Sequence, residues 1–136
     1  MRLQREDGAI ALEFALILPI FLLIVAGIVE FTVMLYDQQV LTNASREGAR
    51  AGIIQLDPKP SDATLKASIT SVVNTYLTGA GLKTASATIT PTVEGQAFSD
   101  DITVRVDYTY NFLFLPSFTG GSASMTLSAI TTMRHE

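Results

Sequence analysis

Residues 9–29 read AIALEFALILPIFLLIVAGIV, and this apolar stretch decides how the chain is organised. It contains one charged residue, Glu13, and one proline, Pro19. As a helix it would be about 31 Å long, which is close to the thickness of the hydrocarbon layer of a bilayer. We therefore predict that residues 9–29 span a membrane.

The flanking charges predict the orientation of this segment. Arg2 and Arg5 precede it, and the next basic residue after it is Arg46. Because positive charge is retained on the cytoplasmic side, the N-terminus is expected in the cytoplasm and the rest of the chain across the membrane. A secretory signal peptide is the alternative, but the internal carboxylate and proline fit that pattern badly, and Val-Ala-Gly at 25–27 is a poor cleavage site.

The composition excludes several classes of function. The chain has 136 residues, of which 48% are apolar and 16% charged, and this excludes a disordered chain. Nine basic against 13 acidic residues give a net charge of −4, which provides no basic surface for nucleic acid. There is no cysteine, and the single histidine, His135, is the penultimate residue. We predict no enzyme activity, no catalytic residue, no cofactor and no metal site.

The helical pattern continues beyond Val29. An apolar stripe is formed by Phe31, Met34, Leu35, Leu41, Ala44 and Gly48. Charged residues occupy other positions of this amphipathic half and are predicted to face solvent: Asp37, Arg46, Glu47 and Arg50. One helix over residues 9–54 would be about 69 Å long, with its first half in lipid and its second half amphipathic.

A second helix follows a break at residues 57–60, which read Asp-Pro-Lys-Pro. Ser61 is a suitable N-cap, and Asp62 is favourable in the first turn. The apolar face of this helix has helical spacing and consists of Leu65, Ile69, Val72, Val73, Tyr76 and Leu77. Gly-Ala-Gly at residues 79–81 is expected to end it.

The remainder of the chain alternates with a period of two, which predicts strands over residues 85–93, 102–112 and 125–133. Pro91 marks the first of them as an edge strand or a bulge. Short connections favour an antiparallel meander. The predicted fold is therefore α+β: a long N-terminal helix, a second short helix and a small three-stranded antiparallel sheet, arranged like a lollipop. We expect the outer half of the long helix to supply part of the core.

Small residues recur on one face of the long helix at Ala44, Gly48 and Gly52. Such a strip permits close approach of another element, although each glycine costs roughly 1 kcal/mol in helix propensity. The partner is either the sheet of this chain or a neighbouring subunit.

Glu13 is a carboxylate inside a membrane segment, where a charge is costly and is usually retained for a partner. If a peptidase cut between Gly8 and Ala9, the new α-amino group would lie about one helical turn from Glu13. That amine could pair with Glu13 of the same subunit or of a neighbour. The alternative is that Glu13 reaches water at the end of the segment.

These residues resemble the TadE-like family, the minor pilins or pseudopilins of the tight-adherence (Tad) type IV pilus system. The resemblance rests on GAIALEFALILPIFLLIVAGIVEF at residues 8–31 and NASREGARA at residues 43–51. It implies a leader at residues 1–8, cleavage after Gly8 by a prepilin peptidase, and a pilin-like shape. Glu13, Phe14 and Pro19 would act in assembly, with Pro19 as a soft point or simply a tolerated membrane proline.

The resemblance implies a structural function in pilus biogenesis and surface adherence. The partners would be the prepilin peptidase, other pilins or pseudopilins, the Tad assembly machinery and the lipid bilayer. The protein would be a single-pass component of the bacterial inner membrane and, after assembly, of the pilus at the cell surface. Residues 9–54 would form the N-terminal helix, and residues 55–136 the small head. The alternative function is an uncleaved single-span protein that presents an extracytoplasmic binding domain.

Overall fold

The computed structural model describes residues 3–54, 60–95, 100–114 and 120–134, with side chains described from residue 8 onward. The elements in chain order are helix α1 (Leu3–Ile53), helix α2 (Asp62–Gly79), a 3₁₀ turn (Thr84–Ser86), and strands β1 (Ala87–Val93), β2 (Asp101–Asn111) and β3 (Ser124–Arg134). The predicted α+β fold, with a long N-terminal helix, a second helix and a three-stranded antiparallel sheet, is confirmed. Arg2, His135 and most of the Asp-Pro-Lys-Pro break lie outside the described residues.

Helix α1 begins six residues earlier than predicted, at Leu3 rather than residue 9. Leucine, glutamine, arginine and glutamate, which are good helix formers, precede Gly8, and a single glycine lowers helix stability by only about 1 kcal/mol. The helix also continues on both sides of Pro19. A proline removes one backbone hydrogen bond, and the remaining turns are sufficient to maintain the helix.

The sheet has the strand order β1-β2-β3, and both neighbouring pairs are antiparallel. Val106 at the centre of β2 is paired with Ile89 on one side and Ala129 on the other. Because side chains alternate between the two faces of a sheet, these three paired apolar residues share one face, and their neighbours along each strand point to the other face. Strand β1 begins two residues later than predicted because Thr84–Ser86 form the 3₁₀ turn.

Both helices pack on the apolar face of the sheet. Helix α1 contacts β2 and β3, α2 contacts β1, and the two helices contact each other. The buried apolar core consists of Val40, Leu41, Ala44, Ala49, Leu65, Ile69, Val73, Leu77, Leu82, Ile102, Val104, Val106, Tyr110, Leu127 and Ala129. As expected, the outer half of α1 therefore supplies one wall of this core.

Helix α2 begins at Asp62, directly after its N-cap residue Ser61, as predicted. The backbone N–H of Thr64 donates to Oγ of Ser61 at 3.2 Å, which satisfies one of the free donors of the first turn. The buried residues are Leu65, Ile69, Val73 and Leu77, whereas Tyr76 remains 39% exposed at the edge of this face. The chain leaves the helix through Gly81, whose φ of +84° is accessible to glycine without strain.

The apolar stripe predicted on α1 is partly wrong. Phe31 and Leu35 are exposed, whereas Asp37, which was predicted to face solvent, is buried. The face that packs on the sheet is set by Leu41 and the small residues that follow it. Asp37 lies four residues before Leu41, and Glu30 lies seven residues before Asp37. These spacings are about one and two helical turns, so both carboxylates lie on the packed face of the helix.

The small residues of α1 pack within this chain. Gly48 and Gly52 are buried, and a Cβ built on Gly48 would lie 2.6 Å from Cγ2 of Val73. A Cβ on Gly52 would lie 2.9 Å from Cδ1 of Ile69 in α2 and 3.0 Å from Ile102 in β2. Helix α1 can approach α2 and the sheet this closely only because these positions lack side chains.

Replacement of Gly48 by alanine tests this packing. In the full chain in detergent we expect Gly48→Ala to lower the free energy of unfolding by about 1–2 kcal/mol, because overpacking outweighs the gain in helix propensity. The control is Gly79→Ala at the end of α2, where an added Cβ meets nothing within 4 Å. Denaturation curves that show equal stability for both variants would contradict the close approach.

Candidate functional site

The first half of α1 is an apolar rod that the rest of the chain does not cover. Its large apolar side chains from Ile10 to Val29 are exposed, and Phe14, for example, is 64% exposed. In the described part of the chain, α1 is the helix that is long and apolar enough to cross a membrane. Exposed apolar surface of this extent requires lipid or other protein surfaces as its surroundings.

The residues predicted for processing and assembly all lie on this rod. Gly8 and Ala9 are exposed within the first turns, and Glu13 follows Ala9 by four residues and therefore lies on the same side of the helix. No hydrogen bond or ion pair joins Glu13 to the side chains described from residue 8 onward. Phe14 and Pro19 are also exposed, so the fold brings none of these residues to the head.

Glu30, one residue beyond the predicted membrane segment, forms the most elaborate polar site in the described structure. Its carboxylate is buried and accepts three donors from the end of strand β2. The hydroxyl of Tyr110 donates at 2.6 Å. The backbone N–H of Leu113 donates to both oxygens at 2.8 and 3.0 Å, and that of Phe114 donates at 2.8 Å. One side chain thus attaches the start of the β2–β3 connection to the long helix.

The hydrogen bonds keep Glu30 ionised. Burial raises the pKa of Glu30, but the bonds from Tyr110, Leu113 and Phe114 act in the opposite direction and hold the pKa below its ordinary value of 4.5. Burial and the neighbouring Glu30 carboxylate raise the pKa of Tyr110, so its hydroxyl remains a donor. The site is therefore an ionised carboxylate that accepts hydrogen bonds from neutral groups of the head.

Phe112, Leu113 and Phe114, called the 112–114 segment below, lie beside the end of the apolar rod. Phe112 packs edge-on against Tyr110, with ring centroids 5.5 Å apart. Phe112 and Phe114 form one side of an apolar groove of about 290 Å³, whose other side is α1 from Leu23 to Met34. The Glu30 site thus holds apolar side chains of the head at the level of the rod.

Two further polar contacts attach α1 to strand β3. The side-chain amide of Gln38 donates to the carbonyl oxygen of Ser128 at 2.9 Å. The hydroxyls of Ser45 and Thr131 are 2.7 Å apart, and Ser45 is fully buried. Together with Glu30, these contacts occur about every two turns along the packed face of the helix.

The comparison with known families was positive for the N-terminal part of the chain. Residues 8–50 match the family model described as TadE-like protein. The chain carries a TadE-like segment. This match confirms the resemblance, and residues 51–136 lie outside it. The search of curated proteins and the search of solved structures gave no match.

The TadE-like segment contains Glu30, whereas Tyr110, Leu113 and Phe114 lie outside it. Glu30 directly follows the predicted membrane segment in the sequence, but its partners were not predicted. Two of the three donors are backbone N–H groups, which any residue except proline provides, so no residue type marks them in the sequence. The available signal was a carboxylate on the packed side of an amphipathic helix.

Asp37 is the second buried carboxylate of the TadE-like segment. It is 8% exposed, and none of the hydrogen bonds or ion pairs of the described residues involves its side chain. Burial raises its pKa above the ordinary 3.8. Both carboxylates are buried, but three hydrogen-bond donors stabilise the charge of Glu30, and no described donor stabilises that of Asp37. We therefore expect the charge of Asp37 to destabilise the fold.

The described residues on the outer face of the sheet form exposed ion pairs instead of a buried polar site. Arg105 pairs with Asp107 at 2.7 Å and Arg134 with Asp101 at 2.8 Å, and such exposed ion pairs contribute little to stability. Among the described residues, no three acidic, histidine or cysteine side chains are grouped so that they could hold a metal ion.

Glu30→Gln tests the attachment of the 112–114 segment to the TadE-like segment. We expect amide hydrogen exchange at Leu113 and Phe114 to become at least about tenfold faster, since hydrogen bonds to a charged group contribute about 1.5–3 kcal/mol. The amide of Phe112, which donates to the carbonyl of Ala123 at 3.1 Å, is an internal control and should change little. Because the folded pKa of Glu30 is lowered, its contribution should be complete above pH 4.5 and disappear as the pH falls through the lower folded value.

Asp37→Asn is expected to raise the melting temperature of the full chain in detergent at pH 7. The amide has the size of the carboxylate but removes a buried charge whose pKa is raised by burial. The gain should shrink as the pH falls through that raised pKa, because Asp37 then becomes neutral in the parent protein. Glu47→Gln, at an exposed position of the same helix, is the control. A lower melting temperature for Asp37→Asn at pH 7 would contradict the unpaired charge.

Proposed function

We propose that this protein is a minor pilin or pseudopilin of a Tad-type pilus. The match of residues 8–50 to the TadE-like family model and the apolar N-terminal helix fit a Tad pilus component. The observation that carries the proposal is an uncovered apolar helix of membrane-spanning length with one exposed carboxylate, Glu13, near its start. The family and the helix are also compatible with anchoring in a membrane, which for this system is the bacterial inner membrane.

In this proposal a prepilin peptidase removes residues 1–8 and leaves Ala9 as the new N-terminus. Residues 9–54 then form the N-terminal helix, with residues 9–29 in the bilayer, and residues 55–136 form the head. Cleavage requires access to a peptide bond that lies inside α1 in the uncleaved chain. Gly8 favours this access because glycine has low helix propensity, so the helix unwinds there more easily than at its neighbours.

Glu13 would align each subunit during assembly. Its carboxylate and the new amine of Ala9 are four residues apart, which is one turn of the helix. The amine can pair with Glu13 of the same subunit, or with Glu13 of a neighbouring subunit that is shifted along the filament axis. A paired charge is much less costly in an apolar environment than a single one, so the pair favours the correct register.

Assembly would replace lipid around the rod by the rods of other pilins or pseudopilins. Phe14 and the other exposed apolar side chains would supply the contacts, and Pro19 would allow the helix to adjust where it packs. The partners are the peptidase, the other subunits and the Tad assembly machinery. The N-terminus would face the cytoplasm before assembly, and the head would reach the pilus and the cell surface, where it could support adherence.

A two-part experiment in a strain with a Tad pilus tests the proposal. The N-terminal sequence of the mature protein is expected to begin at Ala9. Glu13→Ala should still be inserted and cleaved, but its amount in sheared pili should fall at least about tenfold, as expected from a lost ion pair in an apolar environment. Glu47→Ala, on the exposed face of the same helix, is the matched control and should enter pili normally.

The outcomes separate the proposal from its alternative. A mature protein that begins at residue 1 and works without the peptidase would indicate an uncleaved single-span protein that presents a binding domain. Normal incorporation of Glu13→Ala would exclude the pairing of this carboxylate with the amine, whatever the N-terminal sequence is.

A further inference from the structure

The 112–114 segment is an exposed apolar surface of the head at the level where α1 enters the apolar rod. Leu113 is 59% exposed and Phe114 is 41% exposed. Phe112 and Phe114 face Leu23, Ala26 and Gly27 across the apolar groove, and all three of these helix residues belong to the predicted membrane segment. Adjacent exposed apolar side chains of this kind are typical of surfaces that contact a membrane or another protein.

The depth of the segment follows from the helix rise. Leu23 is six residues and Ala26 three residues inside the end of the membrane segment at Val29. At 1.5 Å per residue these positions lie about 4–9 Å below that end. The same groove also includes Phe31 and Met34, which follow Val29 by two and five residues. The segment therefore lies around the end of the membrane span, where the interfacial layer, about 5–10 Å deep, buries phenylalanine and leucine side chains of membrane-surface elements.

The backbone N–H groups of the segment all have partners within the protein. The N–H of Phe112 donates to the carbonyl of Ala123 at 3.1 Å, and the N–H groups of Leu113 and Phe114 donate to Glu30. A backbone N–H group without a partner is costly in contact with lipid, because each unsatisfied donor costs several kcal/mol in the hydrocarbon region. Here all three donors are satisfied by the protein itself.

We propose that the 112–114 segment is a second membrane contact, in which Phe112, Leu113 and Phe114 insert into the interfacial layer of the bilayer beside α1. The occupant of the groove is a phospholipid acyl chain, because the groove is continuous with the helix surface that the bilayer already surrounds. The head is thereby held against the membrane in one orientation, with Glu30 as the attachment point. The inference rests on the membrane insertion of residues 9–29 in the proposed function, but it requires neither cleavage nor filament assembly.

The chain contains no tryptophan, so single substitutions provide unambiguous fluorescent reporters. The full chain is reconstituted at one copy per nanodisc, with phosphatidylcholine that carries bromine either near the headgroup end or near the methyl end of the acyl chain. Phe114→Trp reports on the segment. Ile130→Trp, 59% exposed on the outer face of the sheet, is the control for the head, and Phe21→Trp is the control for insertion of the rod. Leu113→Trp repeats the test if Phe114→Trp does not fold.

We expect Phe114→Trp to have blue-shifted emission that is strongly quenched by bromine near the headgroups and less by bromine near the methyl ends. Ile130→Trp should be quenched by neither lipid. Unquenched, water-exposed emission from Phe114→Trp, with Phe21→Trp quenched, would overturn the second contact while leaving membrane insertion intact. Blue-shifted but unquenched emission would mean that protein covers the segment, which also overturns it. If Phe21→Trp is unquenched as well, insertion of the rod itself has failed, and the membrane part of the proposed function fails with it.

Discussion

Helix α1 has to satisfy two different environments along one continuous axis, and the rest of the structure depends on this constraint. Its first half presents apolar side chains all round, whereas its second half forms one wall of the core through Leu41 and Ala44. The sheet and α2 alone would make a very small core, close to the lower limit for independent folding. The head is therefore inseparable from the helix that carries it, and a force on the rod is transmitted directly to the sheet.

The junction between the two environments is stabilised by polar contacts at regular intervals. Glu30 binds the end of the central strand β2 and the residues after it, whereas Gln38 and Ser45 bind the edge strand β3. The two farthest positions on the helix are about four turns apart. The arrangement fixes the translation and rotation of α1 relative to the sheet, which apolar contacts alone specify less strictly. At Gly48 and Gly52 the absence of side chains completes this fit by letting the helix approach α2 and β2 closely.

Much of the fold could be predicted from local patterns. Alternation in β2 and the Ser61 cap of α2 are signals contained within a few residues, and both elements were found within one residue of the prediction. The packed face of α1 was harder to predict, because a charged residue such as Asp37 is normally expected to face solvent. Asp37 is buried because it lies one turn before Leu41 on the face that packs on the sheet, although no described side chain pairs with it. The Glu30 site could not be predicted, since its donors lie 80 or more residues away and include backbone groups. The roles of the residues near the N-terminus came from a resemblance, because Glu13, Phe14 and Pro19 are exposed and lie far from the described part of the head.

The two edges of the sheet differ from those of proteins that polymerise by adding strands. Strand β1 carries Pro91, which offers no N–H, and strand β3 has the carbonyl of Ser128 occupied by Gln38. An incoming strand would find a missing donor at one border and a missing acceptor at the other, and natural sheets use such defects to prevent fusion with their neighbours. Heads with such borders can stay separate folding units even at high local density. The exposed apolar side chains of the first half of α1 then remain the larger surface available for contact with other molecules.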